Sequence, residues 1–384
     1  MGRRRLSGSG SVTRLRDGRW QARLGATGPD GQRVRQVWYG RTRAEAEAHL
    51  TSALADRLHG LPTLSARGPT LAAYCESWLA GASLRLRPRT VEKYRQIVQT
   101  HILPDLGTLP LTRLEVAHVN GLLARKRAGG LAPATCAAIR TTLRAALAAA
   151  LRQGLLRQNV AALSDPPRLP DPQRPILTPQ QAGQLLAAAA EDPDGPLWTV
   201  ALTTGARLGE LLGLQWSDLD SQQETLEIRR TMQRLGSTWA FGEPKTQRAR
   251  RVMPLSPLTR AALDRQRARQ AALRLMAGRQ WSDAWDGLVF TGAAGTPRFG
   301  PAVARHLRHQ LVALGLPPNV GFHGLRRTAA SLLAQQGLPI QTVADYLGDG
   351  VVTALKHYVR VLPGSRREAA ATLDSILTGT SRSG

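Results

Sequence analysis

Two proline- and glycine-rich joints, at about residues 59–70 and 164–175, divide this 384-residue chain into three blocks whose hydrophobic periods differ. A period of two suits a strand with one buried face, and a period near 3.6 suits a helix, so the blocks cannot share one architecture. In the first block Val12, Leu15, Trp20, Ala22 and Leu24 give a short apolar alternation, Pro29-Asp30-Gly31 marks a turn, and Val34, Val37, Trp38 and Tyr39 give a second strand signal. Thr42 can then cap a helix, with Glu45 placed three residues on as in a capping box. The second block is helical throughout. Thr70 is its N-cap, Leu71, Tyr74, Cys75 and Trp78 recur at helical spacing, and Ile139, Leu143, Leu147, Leu151 and Leu155 form an i, i+4 stripe expected to be core, with Arg140, Arg144 and Arg152 facing elsewhere.

The third block opens on Thr178-Pro179-Gln180-Gln181, a cap with proline at the first helical position and glutamine three residues later. Strand patterns at 225–231 and 251–255 predict a hairpin that presents Lys245 near its turn, and helices resume at 261–277 and fill most of the C-terminus. The expected fold class is mainly α with small β (α+β): an N-terminal three-stranded sheet plus helix over 1–60, a helical domain over 69–164 and a mixed α+β domain over 175–384. A hydrophobic content of 42% supplies a core for each.

Charge narrows the function. A formal charge of +25 makes the chain a strong polycation, and in a globular protein that points to a polyanionic partner, most often nucleic acid. A ribosomal protein would usually be shorter with low-complexity basic tails, and no amphipathic segment sets its cations beside an aromatic edge as a membrane-surface helix does. Only four of the 52 basic residues are lysines, namely Lys93, Lys126, Lys245 and Lys356, so most surface arginines reflect composition. Cys75 and Cys136 lack metal-ligand spacing and read as core thiols of a reducing compartment. Met1-Gly2-Arg3-Arg4-Arg5 runs into Ser and Gly, and no uncharged apolar stretch reaches about 18 residues, so neither a signal peptide nor a membrane span is expected. The expected location is cytoplasmic, in a bacterial cell and associated with the nucleoid. No cofactor and no metal is expected.

Chemistry concentrates in the last half. Arg207 lies in Thr204-Gly205-Ala206-Arg207-Leu208-Gly209-Glu210, Lys245 in Glu243-Pro244-Lys245-Thr246, His323 and Arg326 in His323-Gly324-Leu325-Arg326, and Tyr358 in Lys356-His357-Tyr358-Val359. Singly, each has a plainer reading. An arginine with Glu at i+3 is ordinarily a surface ion pair, His-x-x-Arg is a common accident, a hairpin lysine is usually solvated, and a tyrosine in a C-terminal helix usually packs. Together they suit phosphoryl transfer, where fixed guanidinium groups bind dispersed negative charge, a lysine can protonate an alkoxide, and a phenol can attack.

In that order and context these motifs resemble the tyrosine recombinase (phage integrase) family, from about Leu177 to Leu362. The string from His323 to Leu333 carries the family's box over eleven positions, and the segments at 89–94 and 101–107 resemble its core-binding domain. The resemblance implies a site-specific DNA strand-exchange enzyme that cuts and rejoins strands through a 3′-phosphotyrosine, integrating or excising a mobile element. It assigns phosphate binding to Arg207 and Arg326, general acid to Lys245, proton transfer and phosphate binding to His323, nucleophile to Tyr358, and a structural buttress to Glu210. It also implies double-stranded DNA attachment sites, a homotetramer on DNA, accessory DNA-bending proteins, and docking of a tail helix at 365–377 on a neighbour.

The first block, with twelve Arg against five acidic residues in 1–60, resembles the family's arm-site-binding domain, a sheet that enters the major groove through arginines such as Arg14, Arg16, Arg19, Arg33 and Arg35. A basic leader adding only non-specific affinity is the alternative. In the second block Arg85, Arg87, Arg89, Lys93, Arg125, Lys126 and Arg127 are candidate phosphate contacts, each also explicable as solvated surface charge. One position departs from the pattern: after Leu347-Gly348, where the family has His or Trp, stands Asp349. A carboxylate there is expected to turn away from the phosphate or be held neutral, with His357 or water supplying part of the missing contact. A catalytically weakened or inactive sequence-specific DNA-binding protein of the same fold is the alternative, and a relaxing topoisomerase and a purely binding repressor are the rivals from other classes.

Overall fold

A computed structural model describes residues 10–27, 33–58, 68–169, 175–244 and 247–352. The chain splits into two compact units, Met1–Asp171 and Pro172–Gly384.

The first unit begins with an antiparallel sheet ordered β1 (Ser11–Arg14), β2 (Trp20–Thr27), β3 (Arg33–Gly40), against which α1 (Arg43–Leu58) packs. Ala22 and Leu24 turn inward with Ala46 and Ala53 of the helix, which leaves the opposite sheet face open. The Glu45 amide donates to Thr42 Oγ1 at 3.2 Å, while the Glu45 carboxylate accepts from the Arg41 amide at 2.8 Å. A helical bundle follows: α2 (Leu71–Ser83), α3 (Pro88–Ile97), α4 (Leu103–Leu106), α5 (Val116–Ala128), α6 (Pro133–Arg152) and α7 (Val160–Leu163). One π-helical turn, Val98–Ile102, joins α3 to α4. Pro104 lies two residues beyond it, and a proline ring clashes with the carbonyl four residues back and has no amide to donate, so the wider turn accommodates it.

The long stripe of α6 is only partly core. Ile139, Leu143 and Leu147 are buried, but Leu151 is 40% exposed and Leu155 lies beyond the helix, which stops at Arg152 before Gly154 at φ 71°. Glycine in the left-handed region ends a helix cheaply, and the stripe ends with it. Helix α6 is long and apolar enough to cross a membrane on length and composition, yet its apolar face fills this bundle's core together with Cys75, Cys136 and Trp78.

In the second unit α8 (Pro179–Ala188) is held by the Thr178–Gln181 capping box, with the Gln181 amide donating to Thr178 Oγ1 and the Thr178 amide to Gln181 Oε1. Next come α9 (Gly195–Thr204), α10 (Leu208–Leu212), β4 (Leu219–Asp220), β5 (Thr225–Ile228), β6 (Thr231–Leu235), β7 (Thr238–Gly242), β8 (Arg251–Pro254), α11 (Pro257–Ala277), α12 (Gly300–Ala313), α13 (Gly321–Gln335) and α14 (Ile340–Leu347). Helix α9 is apolar on every side because α11 and α13 both pack against it, burying Leu197, Trp198 and Val200 completely. A small antiparallel sheet, ordered β4-β5-β8, adds Leu226, Ile228 and Met253 to that core.

The expected single hairpin is replaced by two nested ladders. β5 does pair with β8, Leu226 opposite Met253, but between them β6 and β7 form a hairpin of their own that turns at Gly236, φ 60°. The Leu235-Gly236-Ser237-Thr238 turn signal, set between alternating residues, accounts for it. Residues 245–246, and with them Lys245, lie outside the described residues, after β7 in the sequence rather than at the hairpin's turn.

Candidate functional site

Three segments of the second unit meet around two guanidinium groups. The first is the turn between α9 and α10. Gly205 closes α9 at φ 60°, a dihedral that favours glycine, and a Cβ there would lie 2.3 Å from Leu347 Cδ2 and push that side chain aside. Two residues later Arg207 stands at the N-cap of α10 in extended conformation. Glu210, one turn on, is almost fully buried and holds the arginine twice: its Oε2 accepts from the Arg207 amide at 3.0 Å and its Oε1 from Arg207 Nη1 at 2.7 Å. The Arg207 side chain remains 37% exposed, which leaves the site open to solvent on its side.

Arg326 comes from α13 and is 1% exposed. Its Nη1 donates to the Gly205 carbonyl and its Nη2 to the Leu347 carbonyl, each at 2.7 Å. A buried guanidinium must spend its donors on fixed acceptors, and here they join the end of α9 to the end of α14.

The third segment is the end of α14. Gly348, at φ 68°, donates its amide to the Asp345 carbonyl at 3.0 Å, and the Asp349 amide donates to the Ala344 carbonyl at 2.9 Å. This is a Schellman termination, and it fixes the backbone of Asp349 just past the helix. The side chain faces the two arginines. Asp349 Oδ1 lies 2.5 Å from Arg207 Nη2 and Oδ2 lies 2.6 Å from Arg326 Nη2, so one carboxylate bridges both guanidinium groups, one oxygen to each. The Schellman turn sets Asp349 beside the two cations, and an acceptor there lowers the energy of both.

Arg251 belongs to the same network and escaped the sequence reading. It lies on β8 with its side chain 6% exposed, Nη2 at 3.2 Å from Glu210 Oε2 and Nη1 donating to the Ala249 carbonyl. Burial lowers its pKa from the usual arginine value, the neighbouring Arg326 and Arg207 lower it further, and Glu210 works against them. Arginine nonetheless stays charged at any accessible pH. A signal was available in the strand's alternation, which turns Arg251 and Met253 inward while Val252 is 64% exposed. An inward arginine with an outward valine marks a buried charge partner.

Three guanidinium groups (Arg207, Arg251, Arg326) and two carboxylates (Glu210, Asp349) leave this cluster at +1 by formal count. His323 is exposed on α13, one turn before Arg326. Tyr358 and His357 lie outside the described residues, as do Lys245 and the tail at 365–377. Among the described residues no group of three or more His, Cys, Asp or Glu side chains could hold a metal ion.

The basic candidates of the first unit are spread over its surface. Arg85, Arg89 and Lys93 are exposed around the start of α3, and Arg87 is its N-cap. Arg125 and Lys126 both pair with Asp105, at 3.1 and 2.6 Å, and Arg127 donates to the Leu131 carbonyl. In the sheet Arg19 is tied to Asp17 and lies over the Tyr39 ring, and Arg16 is exposed in the β1–β2 turn. The register sets Arg35 opposite Gly25 and Arg23 opposite Val37, so Arg35 and Arg23 share the face away from α1, whereas Arg14, opposite Trp20, has the other parity. Arg23 is an open-face arginine that the sequence reading passed over. Arg33 is paired with Thr27 in the ladder.

The second unit thus brings two arginines, Arg207 and Arg326, 119 residues apart in sequence, onto the two oxygens of one carboxylate. Residues 175–364 match the phage integrase family, and residues 70–125 match the N-terminal SAM-like domain of phage integrases. An integrase of Streptomyces ambofaciens is 30% identical over 362 residues, covering 91% of this chain and 90% of the relative. Among solved structures, the Tn1549 transposon integrase in complex with a circular intermediate DNA superposes with a TM-score of 0.66 at 20% identity, covering 80% of this chain and 100% of the other. A lambda integrase tetramer bound to a Holliday junction superposes with a TM-score of 0.55 at 20% identity, covering 90% and 94%. The chain belongs to the phage integrase family. It is a tyrosine site-specific recombinase, an enzyme that breaks and rejoins DNA strands.

Proposed function

We propose that Arg207 and Arg326 bind the scissile phosphate, that Lys245 is the general acid, that His323 assists proton transfer and phosphate binding, and that Tyr358 is the nucleophile. The observation that carries this reading is the convergence of Arg207 and Arg326 on a single anion, each donating to a different oxygen. A phosphodiester offers the same pair of oxygens. In the transition state its charge grows, and donors already aimed at those oxygens stabilise it without reorganising. The Tyr358 phenol oxygen forms a bond to phosphorus as the bond to the 5′ oxygen breaks; the phenol passes its proton to His323, and Lys245 delivers one to the departing alkoxide. A second strand's 5′ hydroxyl reverses the step, so the covalent link conserves the bond energy.

In this reading the chain works as three domains, with residues 1–60 binding arm-type sites through arginines including Arg14, Arg16, Arg19, Arg33 and Arg35. Residues 69–164 bind core sites through cations including Arg85, Arg87, Arg89, Lys93, Arg125, Lys126 and Arg127, and residues 175–384 carry the chemistry. The Tn1549 integrase in complex with a circular intermediate DNA and the lambda integrase tetramer bound to a Holliday junction support DNA attachment sites as the substrate and a tetramer as the working assembly; accessory DNA-bending proteins and a mobile element complete the reading. One gel tests it. Radiolabelled half-site DNA, taken from the repeats flanking the locus, forms a covalent adduct with the wild type and none with Tyr358→Phe. Binding without an adduct in the wild type overturns the reading in favour of a binding protein, and relaxation of any supercoiled plasmid without a site overturns it in favour of a topoisomerase.

A further inference from the structure

The bridge from Asp349 to both arginines occupies the space that the proposed reaction gives to the substrate. We propose that Asp349 is a specificity-determining residue, an internal anion seated between Arg207 and Arg326 that a DNA phosphate must displace before it can be cleaved. The inference rests on the reading of the two arginines as the scissile-phosphate site.

Geometry comes first. The carboxylate presents one oxygen to each guanidinium, at 2.5 and 2.6 Å, as two non-bridging phosphate oxygens would. Its side chain is only 10% exposed, so it fills the space instead of lying across it. Charge points the same way. With Asp349 in place the five-residue cluster carries +1 by formal count; with Asp349 withdrawn, Arg207, Arg251, Arg326 and Glu210 carry +2, enough to oppose the extra charge of a pentacoordinate phosphorus.

Displacement leaves the backbone in place. The backbone of this turn is held independently of the carboxylate, by the Gly348 and Asp349 amides on α14 carbonyls and by Arg326 Nη2 on the Leu347 carbonyl. Rotation of the Asp349 side chain takes its carboxylate off both guanidinium groups and leaves Arg326 anchored to Gly205 and Leu347. A phosphate that contacts only one of the two guanidinium groups cannot offset the loss of the carboxylate's two contacts. A phosphate delivered in register by a bound site can. Arginines blocked in nine molecules of ten lower apparent affinity for the scissile phosphate by about tenfold, because only the open fraction binds.

The test uses the full chain in a Tyr358→Phe background, so that nothing is cleaved, and two probes: the half-site of the adduct assay with an ordinary phosphodiester at the cleavage position, and the same duplex with a neutral methylphosphonate there. Asp349→Asn keeps the shape and removes the charge. It should bind the ordinary half-site on the order of tenfold more tightly and the methylphosphonate half-site no more tightly than the parent, while melting at a lower temperature without DNA. Asp349→Ala, which cannot bridge at all, should repeat the pattern. An equal gain on both probes would reduce Asp349 to a general charge effect, and no gain on the charged probe from variants that still melt cooperatively would make it a structural pin; either result overturns the proposal. Failure of the underlying reading looks different. In that case the wild type forms no adduct, and Arg207→Gln leaves the discrimination between the two probes untouched.

Discussion

Arg251 reaches Glu210 at 3.2 Å, on the opposite carboxylate oxygen from the one that accepts Arg207 Nη1 at 2.7 Å. Glu210 is therefore clamped from two sides, and the direction of Arg207 depends on Arg251 through the carboxylate they share. Replacing Arg251 with methionine leaves a 1%-exposed carboxylate with one cation where it had two. Breaking a buried pair in this way costs about 3 kcal/mol. Arg251→Met should lower the melting temperature and slow single-turnover adduct formation more than it weakens half-site binding. Arg251→Lys, which keeps the charge without the fork, should recover most of the stability and only part of the rate. Equal losses in rate and affinity for both variants would show that Arg251 serves the fold alone.

Gly205 makes a sharper steric prediction. At φ 60°, with Leu347 Cδ2 only 2.3 Å from the position of a Cβ, Gly205→Ala combines a strained backbone with an overpacked contact, together about 2 to 4 kcal/mol. The fully buried Leu347 side chain must shift, in the residue whose carbonyl accepts from Arg326 Nη2. Thermal melting should register the loss. Adding Leu347→Ala, itself destabilising in an intact core, should cost less in the Gly205→Ala background than in the wild type, because the two sites are coupled through one contact. Simple additivity of the two changes would remove that contact from the explanation.

How much of this was legible in the sequence differs from element to element. The Thr70 and Thr178 caps and the strands around 225–228 and 251–254 could be read because each rests on residues within a few positions of one another. The order of Arg207, His323 and Arg326 could be read from local motifs, but not their partners. Asp349 was judged by its charge against the family's histidine, and a carboxylate beside an incoming phosphate is unfavourable; what decides its orientation is the Schellman turn that aims it at two cations, 142 residues from one of them. Arg251 was hidden for a similar reason, since Glu210 stands 41 residues earlier. The β6–β7 hairpin is a short-range feature, carried by Gly236-Ser237, and it lies inside the longer β5–β8 pairing whose strand signals are stronger.

The first unit makes a prediction in pH. Burial raises the Cys75 thiol to about 12 from an ordinary 9.0. Burial, helped by the neighbouring Cys75, raises the Tyr74 phenol to about 12 from 10.0, with Arg152 acting the other way; its hydroxyl also donates to the Ala146 carbonyl at 2.9 Å. Both groups are protonated in the fold and ionise more readily once unfolded. Their contribution to stability is complete below about pH 9 and is lost as the pH climbs towards about 12. The urea midpoint of the full chain should fall between about pH 8 and about pH 11, and Cys75→Val should make that fall shallower. A variant with the same pH slope as the wild type would show that the thiol contributes nothing to it.

Lys245 can be tested through the bond it is proposed to help break. An alkoxide leaving group needs a proton as the phosphorus–oxygen bond opens, and losing a positioned general acid costs roughly a hundredfold to ten-thousandfold in rate. A thiolate leaves well without one. Half-site DNA in which sulfur replaces the bridging 5′ oxygen at the cleavage position should therefore be cleaved by Lys245→Ala at close to the wild-type rate, while the ordinary half-site is cleaved slowly if at all. Arg207→Gln should show no such recovery, since a guanidinium that stabilises charge on the non-bridging oxygens is needed whichever atom departs. If sulfur rescues neither variant, Lys245 acts through phosphate binding rather than proton delivery; if it rescues both, neither residue's role is distinguished by the leaving group and the division of labour between them fails.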